Sequence, residues 1–193
     1  MFIFKYYIFL MKKSILLNSK ELNVTIQRLA CQLIENHGEF LNTVLVGIQP
    51  RGKYLCNRIV DVLKSNYNIE NPKFGLLDIT FYRDDFRRNE NILKPNKTDF
   101  TLSIENKNIV FIDDVLFTGR TIRAALTAIE SFGRPKSIEL MILIDRRFSR
   151  ELPIQPDYKG IQVDVYKNER ALVNWDVDGV DDYAYIVKMN DDE

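Results

Sequence analysis

Polar and apolar positions change period several times along the chain, and each change marks an element. Asn18-Ser-Lys-Glu21 has the form of a helix capping box, and Leu22, Ile26, Leu29, Ala30, Leu33 and Ile34 follow at helical spacing. His37-Gly38 supplies a stop, because glycine tolerates the left-handed cap. Residues 43–48 (TVLVGI) are an unbroken apolar run of the buried-strand type, closed by a turn at Gln49-Pro50-Arg51-Gly52. Helical spacing returns over 53–65 through Leu55, Ile59, Val62 and Leu63. Residues 76–82 predict a second strand and 108–112 a third. Residues 120–132 predict a helix with Ile122, Ala125, Leu126 and Ile129 on one face, ended by Gly133-Arg134-Pro135. Residues 137–144 predict a fourth strand.

Between the second and third strands, residues 83–101 are polar and without a period. A gap that long inside a compact domain is a functional loop or a disordered segment. After Asp145 the chain breaks into short β-prone pieces, 162–166, 171–175 and 183–187, separated by proline, glycine and aspartate. Strand–helix alternation up to Asp145 predicts a mostly parallel α/β sheet with right-handed crossovers. The remainder, about 146–188, predicts a small C-terminal β-rich hood on that sheet. Residues 11–193 therefore read as a single domain. The first ten residues, MFIFKYYIFL, are apolar but far short of the ~20 needed to span a bilayer. They also lack the charged start and cleavage site of a signal peptide. Met11-Lys12-Lys13 is the more natural beginning, so residues 1–10 are read as a leader produced by an upstream start.

Composition narrows the function classes. Hydrophobic residues make up 46% and charged residues 28% of the 193, an ordinary globular balance. Lysine plus arginine equals aspartate plus glutamate at 27 each, which argues against a general nucleic-acid binder and leaves room for a local basic patch. Cys31 and Cys56 have neither zinc nor disulfide spacing and read as reduced thiols of a cytoplasmic protein. A single histidine, His37, removes Ser-His and Cys-His nucleophilic systems.

The strongest chemical signal is Ile109-Val-Phe-Ile-Asp-Asp-Val-Leu-Phe-Thr-Gly-Arg-Thr121. A buried strand delivers Asp113 and Asp114 to the carboxyl edge of the sheet, where open α/β folds bind ligands. Ionised carboxylates only accept hydrogen bonds, so the pair suits vicinal sugar hydroxyls or a hydrated magnesium ion. Val115 and Leu116 lead into a turn, Phe117 to Thr121, that opens a helix. Its backbone N–H groups, the Thr118 and Thr121 hydroxyls and the helix dipole suit a monophosphate, with Gly119 allowing close approach.

This segment resembles the phosphoribosyl pyrophosphate (PRPP) motif of the type I phosphoribosyltransferases. Gly47-Ile-Gln-Pro-Arg-Gly52 resembles their pyrophosphate loop, and Asp78-Ile-Thr-Phe-Tyr-Arg-Asp-Asp85 the strand entering a flexible catalytic loop. Gly133-Arg-Pro135, Asp145-Arg146 and Arg150-Glu-Leu-Pro-Ile154 match one branch, the bifunctional pyrimidine operon regulator/uracil phosphoribosyltransferase family (PyrR). The likeness covers roughly residues 18–188. It implies the type I phosphoribosyltransferase fold and transfer from PRPP to uracil, giving UMP and pyrophosphate. It also implies magnesium carried mainly by PRPP, with no resident metal site, and a homo-oligomer. Site residues carried over are Gln49, Pro50, Arg51, Gly52 and Arg83 for pyrophosphate, and Asp113 and Asp114 for ribose. Thr118, Gly119, Arg120 and Thr121 serve the 5′-phosphate, Val115, Leu116 and Phe117 join them in the PRPP/UMP site, and Phe117, Asp145 and Arg146 serve the base pocket. Arg83, Asp113 and Asp114 are the catalytic candidates, while Arg87 and Arg88 are weaker ones. Phe117 stands where purine-salvage members commonly carry aspartate, which points to a pyrimidine; packing alone would also explain a phenylalanine there.

Two departures bear on RNA, the other ligand of that family. Its first-helix Thr-Arg-Ile-Ala-His stretch is here Gln27, Arg28, Leu29, Ala30 and Cys31. Arg146-Arg147-Phe148-Ser149-Arg150 replaces a shorter version containing glycine and histidine. A UMP-sensing RNA-binding regulator is thus the alternative to the enzyme, as is a phosphoribosyltransferase for another base.

Overall fold

A computed structural model describes residues 13–83, 102–166, 168–176 and 181–188. The expectations placed on residues 1–10 and on the loop beyond Arg83, including Arg87 and Arg88, fall outside the described residues. The first helix, α1 (Ser19–His37), starts as the capping box requires. Asn18 Oδ1 accepts from the Glu21 N–H at 3.0 Å, and the Asn18 N–H donates to Glu21 Oε2 at 2.9 Å. Gly38 closes the helix at φ 53°. Strand β2 (Thr43–Ile48) is buried throughout and feeds α2 (Gly52–Tyr67).

Strand β3 covers Lys73–Leu77, so the strand expected over 76–82 lies earlier. Asp78 is the reason. Its Oδ1 accepts from the Thr80 N–H at 2.9 Å and from Thr80 Oγ1 at 2.6 Å, a local turn that competes with the ladder and sends Thr80–Tyr82 into a single 3₁₀ turn. Strand β4 (Asn108–Leu116) is longer than expected, because parallel pairing with β5 (Ser137–Arg147) continues through Asp113↔Ile142 and Leu116↔Asp145. Helix α3 (Arg120–Ile129) follows β4 and ends in a 3₁₀ turn, Glu130–Phe132.

The main sheet is wholly parallel, in the order β3-β2-β4-β5-β6. Its last strand, β6 (Tyr158–Asp164), is the first of the short C-terminal pieces, and it joins this sheet rather than the hood. The smaller antiparallel sheet combines β7 (Glu169–Asn174) and β8 (Tyr183–Lys188) with β1 (Lys13–Leu17), in the order β1-β8-β7. Strand β1 was not among the expected elements; its partner lies at the far end of the sequence, so no local pattern announces it.

Alternation along β4 sorts the core into two layers. Val110 and Ile112 pack with Leu22, Leu29, Leu55 and Ile59 of α1 and α2, while Ile109 and Phe111 pack with Ile122, Ala125 and Ile129 of α3. Helices thus cover both faces, which accounts for the near-continuous apolar runs in the strands. His37 is part of this framework. Its side chain is buried at the amino edge of the sheet, with Thr43 Oγ1 3.1 Å from Nδ1 and Glu139 Oε2 3.1 Å from Nε2. No helix among the described residues is long and apolar enough to cross a membrane.

Asn18→Ala removes one side of the capping box and is expected to lower stability by about 1 kcal/mol. Asn18→Ser should recover most of that loss, and urea unfolding followed by circular dichroism measures both.

Candidate functional site

At the carboxyl edge of the sheet, β4 runs into the amino end of α3, while the turn after β2 starts α2 beside it. Arg83, Asp113, Val115, Phe117, Thr118 and Thr121 are among the residues lining a cleft of about 350 Å³ there. Asp113 and Asp114 are 7% and 4% exposed. Strand alternation turns neighbouring side chains apart. Asp113 lines the cleft, and Asp114 meets α2, where Arg51 Nε donates to its Oδ2 at 2.7 Å. The Arg51 guanidinium also donates to the Val173 carbonyl on β7. One arginine therefore joins the main sheet, the second helix and the smaller sheet at the edge of the cleft.

Burial pushes the Asp113 carboxyl well above the ordinary carboxylate range, and the charge of Asp114 pushes it further. The Asp114 N–H, 2.9 Å from Asp113 Oδ1, and the positive charges of Arg51 and Arg83 pull the other way. Gly52 makes this crowding feasible. A Cβ at that position would lie 2.2 Å from the Ile112 carbonyl oxygen and 3.0 Å from Asp113 Cα, so only glycine lets α2 begin against β4. Gln49 is buried and Pro50 exposed, joined by a cis peptide bond.

The loop from Phe117 to Thr121 closes over the amino end of α3. Gly119 is its N-cap at φ 94°, the left-handed region that favours glycine. Thr118 Oγ1 accepts from the Arg120 N–H at 3.3 Å. The helix start supplies backbone donors and a positive dipole end to whatever anion enters the cleft.

On the other side of this loop, Phe117 is 46% exposed and the Arg146 guanidinium lies over its ring, 4.0 Å from the centroid. Arg146 is itself buried, and desolvation lowers its pKa. Asp145 lies deeper, its Oδ1 2.5 Å from Arg150 Nη2 and its Oδ2 3.3 Å from Gln162 Nε2. The structure therefore gathers Arg83, Asp113 and the 115–121 loop around one cleft, while Asp114, paired with Arg51, and the Gln49–Gly52 turn are not among its lining residues. Asp145 and Arg146 line a neighbouring cavity with Phe148 and Arg150.

Gln162 escaped the sequence reading. Arg150 is named there in the Arg-Glu-Leu-Pro-Ile motif, five residues beyond Asp145, without a site role of its own. Gln162 has no local signal, because only the β5–β6 pairing brings it opposite Asp145. Among the described residues there is no group of three or more histidine, cysteine or acidic side chains able to hold a metal. Cys56 is inert, its thiol pushed up to about 12 by burial.

Residues 13–178 match the family model of the phosphoribosyl transferase domain. "Bifunctional protein PyrR" of Picosynechococcus sp. is 43% identical over 174 residues, covering 89% of this chain and 97% of that protein. The protein of the same name from Haemophilus ducreyi is 41% identical, covering 92% of this chain and 99% of its own length. Among solved structures, a hypoxanthine phosphoribosyltransferase from Staphylococcus aureus superposes with a TM-score of 0.66 at 21% identity, covering 94% of each chain. The hypoxanthine phosphoribosyltransferase of Trypanosoma cruzi gives 0.63 at 16%, covering 92% of this chain and 97% of its own. These two likenesses concern the fold, while the identities above 40% concern descent. With a cleft of this composition on a sheet of this order, the chain belongs to the phosphoribosyl transferase domain family, among the proteins called bifunctional protein PyrR.

Proposed function

We propose that the chain transfers the phosphoribosyl group of PRPP to uracil, forming UMP and pyrophosphate. The observation that carries this reading is that buried Asp113 and the 115–121 loop, with the start of the third helix, line one cleft. In this reading the Thr118–Thr121 turn holds the 5′-phosphate, and Asp113 with Asp114 accepts from the ribose hydroxyls. Hydrogen bonds donated by those hydroxyls favour the charged form of Asp113, which burial disfavours in the free protein.

Arg51, Arg83 and the Gln49–Gly52 turn serve the leaving pyrophosphate. A guanidinium fork can grip two of its oxygens, and Arg51 must exchange its bond to Asp114 for them. As pyrophosphate leaves, the ribosyl centre gains positive charge, so a carboxylate beneath it stabilises the transition state more than the ground state. Magnesium carried by PRPP would supply charge neutralisation at the leaving group. Asp113 and Asp114 would meet that ion through its water shell. Phe117 cannot exchange a proton, and its ring, held by Arg146, forms a flat apolar wall suited to a pyrimidine.

A second reading is favoured by the word "bifunctional" in the relatives' names: a regulator that senses UMP in the same cleft and binds RNA. The retained basic residue of the first helix, Arg28, weighs against it. Its guanidinium is already held by the carbonyls of Lys159 at 3.1 Å and Gly160 at 2.5 Å.

With PRPP and a panel of uracil, orotate, guanine, hypoxanthine and adenine, product should form fastest from uracil. Faster turnover of guanine or hypoxanthine would overturn the pyrimidine assignment. Asp113→Asn combined with Asp114→Asn should lower kcat about a hundredfold, equivalent to about 3 kcal/mol of transition-state stabilisation; wild-type turnover in the folded double variant would remove both from the mechanism. Asp113→Asn alone should reveal the opposite effect on stability. A carboxyl raised in the folded state favours folding below its unfolded value, near 3.8, and loses that advantage as pH rises through the folded value. Above that window the asparagine variant should melt at a higher temperature than wild type, and the two should converge toward pH 3; a lower melting point at pH 8 would show that the buried charge is fully compensated.

A further inference from the structure

The residues after β5 form a strap against the 117–121 loop. The Glu151 N–H donates to the Thr118 carbonyl at 3.0 Å and the Leu152 N–H to the same oxygen at 3.3 Å. Arg150 Nη1 donates to the Phe117 carbonyl. Leu152 and Ile154 close against Gly119, where an added Cβ would lie 3.4 Å from Leu152 Cβ and 3.2 Å from Ile154 Cδ1. The strap lines the second cavity, and none of its residues lines the cleft.

Peptide stereochemistry gives these bonds a consequence. In a trans peptide the C=O and the following N–H point in opposite directions, and the only cis bond among the described residues is Gln49-Pro50. A Phe117 carbonyl drawn to the strap turns the Thr118 N–H away from it. A Thr118 carbonyl drawn the same way does so for the Gly119 N–H. Both donors then face the cleft side of the loop, where successive N–H groups make an anion-binding concavity.

Thr118 has two backbone donors for its carbonyl, which any substitution in the strap other than proline leaves in place. The Phe117 carbonyl is held by one side chain, that of Arg150. That side chain is anchored at its other end by buried Asp145, which stands opposite Leu116 across the β4–β5 ladder. We infer that Arg150 is a positioning residue for the phosphate loop: its guanidinium, fixed by Asp145, orients the Phe117–Thr118 peptide so that the loop is ready to receive a phosphate before any ligand arrives. Its charge is already balanced by Asp145, so its contribution is orientation rather than long-range attraction. A lysine cannot replace it, because one ammonium does not reproduce a planar fork that reaches a carboxylate and a carbonyl together.

The inference rests on the phosphoribosyl-transfer reading, and two measurements keep them separable. The first is calorimetric titration of PRPP and of UMP, with magnesium, into wild type, Arg150→Met and Arg150→Lys, together with steady-state kinetics. Both variants should bind about tenfold more weakly, and KM for PRPP should rise by a similar factor. At saturating PRPP, kcat should stay within about threefold of wild type, which a general loss of structure would not produce. The second is amide hydrogen exchange over residues 115–121 in the ligand-free proteins, expected to be faster in both variants at unchanged melting temperature. If Arg150→Met does not fold, the lysine variant carries both measurements. Wild-type affinity in Arg150→Lys, or unchanged exchange in the variants, would overturn the inference. Failure of wild type to bind PRPP would overturn the phosphoribosyl-transfer reading instead, and exchange alone would then decide the role of Arg150.

Discussion

Two neighbouring carboxylates buried at the end of one strand are the constraint around which this molecule is arranged. Ionised carboxylates so close together repel, and burial magnifies the repulsion. The fold meets the difficulty asymmetrically. Asp114 is given a guanidinium, Arg51, at 2.7 Å, and Asp113 is raised toward its neutral form beside the cleft. Removing one partner of such a pair leaves an uncompensated charge, so Arg51 cannot be treated as a ligand-binding side chain alone. It is also where the smaller sheet touches the site, through Val173.

The same division of labour recurs at the other acidic position. Asp145 is also buried and also given an arginine, Arg150, and the two pairs flank the loop that opens α3. Each arginine spends its second contact on a backbone carbonyl, Val173 in one case and Phe117 in the other. Charged groups thus fix main chain on both sides of the cleft. Arg146 has a different task, covering the ring of Phe117 with a guanidinium that is itself partly desolvated.

Much of this was legible in the sequence wherever the controlling interactions are local. The capping box at Asn18 and Glu21, the β2 run, and the strand–carboxylate–loop–helix order from Ile109 to Thr121 all depend on residues a few positions apart. Local chemistry also misled: Phe81 and Tyr82 look like strand residues, but the side chain of Asp78 captures Thr80 and ends the strand. What could not be read is long-range. Arg51 and Asp114 are 63 positions apart, β1 finds its partner in β8, and β6 joins the main sheet through β5. Within the site, the composition of the cleft was foreseeable from motifs, whereas the partner of each charge was not.

The pairing of β1 with β8 has a consequence for synthesis on the ribosome. A chain emerging from its amino end exposes β1 first, and that strand must wait for the last described strand before it can enter a sheet. The parallel sheet can form earlier, as each crossover helix follows its strand. The Val173 contact to Arg51 comes from β7, which follows the carboxylate pair in the chain by about 60 residues. Completing the smaller sheet, and with it the second hold on Arg51, therefore needs strands from opposite ends of the described chain.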